Sequence, residues 1–351
     1  MYLYIFHLSN MCKSIILIPL TLTMALFSIL YFANFLHTIK KGTSWVLLVA
    51  GSNGWHNYRH QSDICHAYQI VRNHGTHPDN IIVMMYDDIA FNKLNPTPGV
   101  LINKPHGPNV YEGIKADYTG KNVRPDIFIK VLEGTNPGVG SQKVIDSGPQ
   151  DRIFVYFADH GAPGILGFNS HVLQANELIE AVERMHKKKR FDKMVFYVEA
   201  CEAGSMFANI LPKYVNVYAM TATNSKRPSY ACYYSEELKT YLGDVFSVNW
   251  MEDSDVENLH QESIKRQFHI VKNETKQSKV SQYGNRSISH ISLAEIQGDK
   301  TFVSNNLFPR EPPTDYLPSR GVNMDIIIKN GNSELIEYTR AKKTLFKRNN
   351  L

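Results

Sequence analysis

Met194-Val195-Phe196-Tyr197-Val198-Glu199-Ala200-Cys201-Glu202-Ala203-Gly204-Ser205 opens as a run of aromatic and β-branched residues, reaches a thiol, and passes into small residues able to turn tightly. It reads as a buried strand that delivers Cys201 at its carboxyl end. A second run, Arg152-Ile153-Phe154-Val155-Tyr156-Phe157, leads in the same way into Ala158-Asp159-His160-Gly161. In an open parallel sheet, ligands and chemistry collect just beyond the carboxyl ends of the strands. A thiol and an imidazole at two such ends are the usual partners in thiol catalysis, although a buried cysteine is more often simple packing.

Around these strands the pattern is α/β. Trp45 to Ala50 is a short apolar strand that leaves through Gly51-Ser52-Asn53-Gly54. A helix capped by Ser62 follows, with Ile64, Ala67, Tyr68 and Val71 on one face and Gly75 at its end. Asn80 to Tyr86 is the next strand, and strand–helix–strand alternation calls for parallel crossovers. From Asn92 to Gly148 the chain is rich in Pro and Gly, broken by a short helix near Asp126 to Leu132. Gly134 to Lys143 lacks the Gly-Lys-Ser/Thr ending of a phosphate loop, so a nucleotide site is rejected. Further helices are expected from Asn176 to Lys188 and from Glu257 to Lys272, and a strand from Asn216 to Thr221. With 351 residues, 43% of them hydrophobic, the chain can bury one large core. Its net charge of +5 lies in clusters without aromatic interleaving, and nucleic acid is excluded as a partner. Four scattered cysteines make no disulfide framework, and Cys65 and Cys232 read as packing thiols.

The polar loops after the strands, Asn53 to His60, Asp159 to Gly161, Glu199 to Cys201 and Ser229 to Asp244, are expected on one edge of the sheet as a cleft. There His160 would take the thiol proton of Cys201, and the backbone N–H groups of Gly161 and Cys201 would face an oxyanion. Arg59, Glu199 and Asp244 would give a pocket both signs of charge, suited to a primary carboxamide. His56 and His60 stand four apart like a zinc pair, but without a helical Glu, so neither metal nor cofactor is expected.

Several motifs together carry a family resemblance. Gly51-Ser52-Asn53-Gly54-Trp55, Asn57-Tyr58-Arg59-His60, Ala158-Asp159-His160-Gly161, Glu199 to Met206, Tyr230-Ala231-Cys232-Tyr233-Tyr234 and Tyr241 to Asp255 closely resemble the legumain family of asparaginyl endopeptidases, in order from about Trp45 to Gly298. The resemblance implies a caspase-like fold, an α/β/α sandwich with a mostly parallel central sheet flanked by helices. It also implies cleavage of peptide bonds after Asn, and after Asp in acid, by a Cys-His acyl-enzyme mechanism. Cys201 is then the nucleophile, His160 the base and Asn57 the residue orienting it, while Arg59, His60, Glu199, Ser229 and Asp244 form the Asn pocket. Protein and peptide substrates, and inhibitors of the cystatin type, are the implied partners. Pro228 departs from the family's second serine beside Ser229.

Residues 1–40 hold an uncharged hydrophobic stretch from Ile15 to Leu36, whose length suits a signal peptide or one membrane span. Ala33 offers a cleavage point, and we expect a removed leader, with no stable membrane span afterwards. The sequons at Asn273 and Asn285 fit the same secretory route, to a lysosomal, endosomal or vacuolar compartment or to the exterior. Residues 41–298 are read as the catalytic domain, and 299–351 as a Pro-rich linker with part of the family's C-terminal activation peptide. Self-cleavage is expected after Asn330 or Asn332. Two alternatives remain: a ligase or transamidase using the same acyl-enzyme, and an inactive binding protein.

Overall fold

The computed structural model describes residues 42–301 and 313–319, together with Ser28. Apart from Ser28, the leader lies outside the described residues, as do Asn330 and Asn332. A compact unit beginning at Thr43 holds every element below.

In chain order these are β1 (Ser44–Ala50), α1 (Tyr58–Asn73), β2 (Ile81–Met84), α2 (Pro125–Leu132), β3 (Arg152–Ala158), β4 (Gly161–Ala162), β5 (Ile165–Phe168), β6 (His171–Gln174), α3 (Ala175–Lys187), β7 (Lys193–Glu199) and β8 (Val217–Thr221). Then follow β9 (Tyr230–Ser235), β10 (Thr240–Asp244), α4 (Val245–Val256), α5 (Ile264–Glu274), β11 (Ser281–Gly284), α6 (Ala294–Gln297) and β12 (Tyr316–Pro318).

Six strands form the central sheet in the order β11-β8-β7-β3-β1-β2, parallel except for the antiparallel edge strand β11. The apolar runs alternate between its two faces. Val46, Leu48, Phe154, Tyr156, Val195 and Tyr197 pack with residues of α1, α4, α5 and α6, while Leu47, Val49, Ile153, Val155, Met194 and Phe196 pack with α2 and α3. Burial on both faces explains why these strands are continuously hydrophobic in sequence. From β1 the chain crosses to β2 on one side, and later strands build outward from β3 on the other, so strand order reverses at β1/β3. A crevice opens beyond the carboxyl ends of strands at such a reversal.

Three readings need correction. The first helix starts at Tyr58, not at Ser62, whose hydroxyl donates to the Arg59 carbonyl from within the first turn. The stretch Ser229 to Asp244 is largely a hairpin, with β9 and β10 paired antiparallel, rather than a loop. Two helices replace the one read from Glu257 to Lys272: α4 precedes it, and α5 begins only after Ser263, which accepts the Arg266 N–H as its cap. Glu257 to Glu262 instead turn around Asn258, whose carbonyl accepts from the N–H groups of Gln261 and Glu262.

Candidate active site

Strands β3 and β7 run parallel with Ala158 opposite Glu199, so His160 and Cys201 each stand two residues beyond equivalent positions. The Asp159 N–H donates to the Glu199 carbonyl at 3.1 Å and carries the register past the strand ends. Gly161 is pressed against the chain at the thiol. A Cβ there would lie 2.3 Å from the Cys201 carbonyl oxygen and 3.0 Å from the Ala200 Cβ, so only glycine fits. Immediately after Cys201 the backbone of Glu202 is left-handed, with φ 50°. This is an uncommon conformation for a non-glycine residue, and here it forms the turn that leaves the thiol at the crevice.

The imidazole of His160 is oriented through Asn57, the residue preceding α1. Asn57 Nδ2 donates to the Asn53 carbonyl at 2.8 Å, which directs its Oδ1 at His160 Nε2, 2.9 Å away. That oxygen can only accept, so Nε2 carries the ring proton and Nδ1 keeps its lone pair. Burial, reinforced by the Arg59 guanidinium, lowers the His160 pKa to about 3. The ring is therefore neutral and able to accept a proton throughout mild acid. Ser229 lines the other side of the thiol, its N–H directed at Cys201 Sγ from 3.4 Å and its Oγ lying 3.7 Å away.

Next to this pair lies a buried charged pocket. Arg59 Nε donates to Asp244 Oδ1 at 2.9 Å and Nη1 to the His56 carbonyl at 3.0 Å, while Nη2 is buried with no acceptor among the described residues. Glu199 Oε2 accepts both the backbone N–H and the hydroxyl of Ser247 in the first turn of α4, where a helix N-terminus favours negative charge. Its Oε1 makes no regular hydrogen bond among the described residues, although the Ser229 side chain also acts on the carboxyl. His60 shares a 2.6 Å hydrogen bond with the Ser52 hydroxyl through Nδ1, and its Nε2 lies 3.6 Å from Asp244 Oδ2. Burial, Arg59 and His160 hold it neutral.

The crevice thus brings together Cys201, His160, Asn57, Gly161, Arg59, His60, Glu199, Ser229 and Asp244. Three further residues escaped the sequence reading. Ser52 holds His60. Asp63 is wholly buried one helical turn beyond Arg59, a spacing that does place both on one helix face. Asn103 anchors Asp63 through Nδ2 at 2.7 Å and also donates to the Leu242 carbonyl. The Asp244 carboxylate faces that of Asp63 and, after burial itself, is the main cause that pushes the Asp63 pKa up.

Asp63, Glu199 and Asp244 all titrate above the ordinary carboxylate range because burial disfavours charge; Asp244 pushes Asp63 and Glu199 further up, whereas Arg59 pulls Asp244 partly back. Burial raises the Asp159 pKa to about 7. A carboxyl raised in the folded state contributes stability below its unfolded pKa and loses it as pH rises through the folded value. Thermal stability is therefore expected to fall as pH rises through about 7, and Asp159→Asn should flatten that fall. Melting curves at pH 5, 6, 7 and 8 check this, and a midpoint that climbs with pH in the parent chain would contradict it.

His60, Asp159 and His160 bring ligand-type atoms within 4.8 Å of one another. Those groups are already engaged with Ser52, the His160 N–H and Asn57, and no metal is assigned to them. Among the described residues Asp253, Glu257 and Glu262 form a second such group, away from the residues named for the site. Cys65 and Cys232 are buried, in the core and beside Val245 and Val248, as packing thiols. Asn273 is exposed on α5, whereas the Asn285 side chain accepts from the Ser287 N–H.

The tail also reaches this site. Strand β12 adds antiparallel to β9, and beyond it the Ser319 N–H donates to the Ser229 carbonyl at 2.9 Å. The Ser319 hydroxyl is 3.3 Å from Asp244 Oδ1, inside the charged pocket.

The chain is 52% identical to Legumain from Homo sapiens over 291 residues, 82% of this chain and 67% of that one. It is 53% identical to the Rattus norvegicus legumain over 290 residues, covering 82% and 66%. The vacuolar-processing enzyme of Vicia sativa is 46% identical over 300 residues, 81% of this chain and 61% of the plant enzyme. The chain thus spans about two thirds of the length of its mammalian relatives. Among solved structures, caspase-1 from Spodoptera frugiperda matches with a TM-score of 0.38 and 10% identity, over 66% of this chain and 75% of that one. Residues 44–299 match the model of the peptidase C13 family, and with more than half the chain so matched, this protein belongs to that family.

Proposed function

We propose that the chain is a cysteine endopeptidase that cleaves peptide bonds after Asn, and after Asp in acid. The observation that carries this reading is the buried pocket beside Cys201 and His160, where among the described residues neither Arg59 Nη2 nor Glu199 Oε1 has a regular hydrogen-bond partner, Ser229 lying beside the Glu199 carboxyl. A primary carboxamide complements both at once, its C=O accepting from the guanidinium and its NH2 donating to the acid. An apolar side chain would leave both buried groups unpaired, which is costly. An ionised Asp would face Glu199 and Asp244 as a like charge. Acid removes that repulsion by protonating the carboxyls, and a protonated Asp then presents C=O and O–H much as Asn presents C=O and NH2.

In the reaction, His160 Nδ1 withdraws the Cys201 proton as sulfur attacks the carbonyl carbon. The N–H groups of Gly161 and Cys201 stabilise the resulting oxyanion, and the imidazolium returns its proton to the departing amine. Water, deprotonated in turn by His160, hydrolyses the thioester. Both protons pass through Nδ1, because Asn57 keeps Nε2 occupied as a donor. Asn57→Ala is accordingly expected to lower kcat by about 10- to 100-fold with a smaller change in KM, measured on an Asn-containing peptide. An unchanged kcat would remove the orienting role.

The substrate class is tested by identifying the residue before each cut in a peptide mixture at two pH values. Cleavage after Asn at both, with cleavage after Asp added at the lower pH, is expected; cuts without regard to this residue would overturn the reading. A lysosomal or vacuolar location follows as a proposal from the acid-adapted carboxyls and from similarity to a vacuolar-processing enzyme. Among the described residues no helix is long and apolar enough to cross a membrane.

A further inference from the structure

The docked tail shows how an extended peptide can lie along β9, and one of its side chains marks a contact beyond the charged pocket. Tyr316, Leu317 and Pro318 pair with Cys232, Ala231 and Tyr230, and Ser319 enters the pocket. Four residues before Ser319, Asp315 places its two carboxylate oxygens on two successive backbone N–H groups, Tyr233 to Oδ1 at 3.1 Å and Tyr234 to Oδ2 at 2.5 Å. Successive amides do not point the same way in a regular strand, where they alternate between edges. They converge here because Tyr233 is left-handed, with φ 59°, and such a kink turns neighbouring N–H groups into a concave anion site.

We infer that Tyr233 and Tyr234 form a substrate subsite for a carboxylate four residues before the residue held in the pocket. This rests on the peptidase reading above, and it extends recognition from one side chain to a five-residue segment. Main-chain pairing along β9 supplies sequence-independent affinity, as in other cases of strand addition, while the two ends of the segment supply selectivity. Both N–H groups are fixed backbone donors, so the subsite distinguishes charge rather than side-chain shape. A short acidic residue matches it, because the Asp315 carboxylate already bridges both donors.

The test uses the full chain carrying Asp315→Ser, in which the tail no longer fills the subsite. Two end-blocked fluorogenic peptides with one Asn are compared, one with Asp and one with Ser four residues before it. The Asp peptide is expected to show about 10-fold higher kcat/KM, the scale of a charge-assisted pair of hydrogen bonds. Equal kcat/KM for two peptides both cut after Asn would overturn the subsite while leaving the peptidase reading intact. If neither peptide is cut, the tail still paired along β9 accounts for it, and the anion contact is judged by hydrogen exchange of the Tyr233 and Tyr234 amides. These should exchange at least 10-fold faster in Asp315→Ser than in the parent chain, and unchanged exchange would overturn the contact itself.

Discussion

Cys201→Ala is expected to lower kcat for an Asn-containing peptide by roughly 10^4-fold or more, with little loss of stability. Removing the sulfur removes the atom proposed to form the acyl-enzyme, whereas the pocket and the Asn57–His160 contact do not depend on it. The alanine variant should therefore still bind Asn peptides, and a binding measurement separates lost chemistry from lost fold. Cys201→Ser should remain nearly as inactive, since a neutral hydroxyl is a far weaker nucleophile than a thiolate. A surviving rate in the alanine variant would show that another group attacks the substrate.

The second large effect concerns Arg59. Its guanidinium is wholly buried and is the positive partner of Asp244, with Asp63, Glu199 and Asp159 close by. Arg59→Gln would leave these acids without their counter-charge. Breaking a buried pair in this way typically costs about 3–5 kcal/mol. The same change removes the donor proposed for the substrate amide oxygen, and a fall in kcat/KM of roughly 10^3-fold is expected. Because the loss of stability alone could lower activity, the informative ratio is Asn against Leu at the cleavage position in the fraction that remains folded. That ratio should collapse toward one in Arg59→Gln. A variant that keeps full preference for Asn would place the specificity elsewhere.

How far these features were legible in the sequence depended on the kind of order each residue obeys. Strands buried on both faces advertise themselves as apolar runs, so β1, β3, β7 and β8 could be read almost to the residue, and with them the positions of His160 and Cys201. α4 could not, because it is buried around nearly its whole circumference from Val245 to Ser254 and shows no apolar stripe. β9 and β10 were hidden for a related reason. They form a small, partly exposed sheet without an unbroken apolar run, and only the partner strand makes their pairing visible. Residue motifs located Arg59, Glu199 and Asp244, but not the support behind them. Asp63 and Asn103 are forty residues apart and meet only through the fold. The docked tail was least legible of all, since a Pro-rich polar segment carries no periodicity even where β9 offers it an edge.

On the proposed reading, the flank of β9 that β12 occupies here limits what could be digested once the tail gives way. A polypeptide must present some five consecutive residues fully stretched, with their amides free, before its amide side chain can drop into place. Helices and interior strands of a native protein have already committed those amides, so a folded target would be nicked only at long surface loops, whereas unravelled chains would be cut wherever an asparagine occurs.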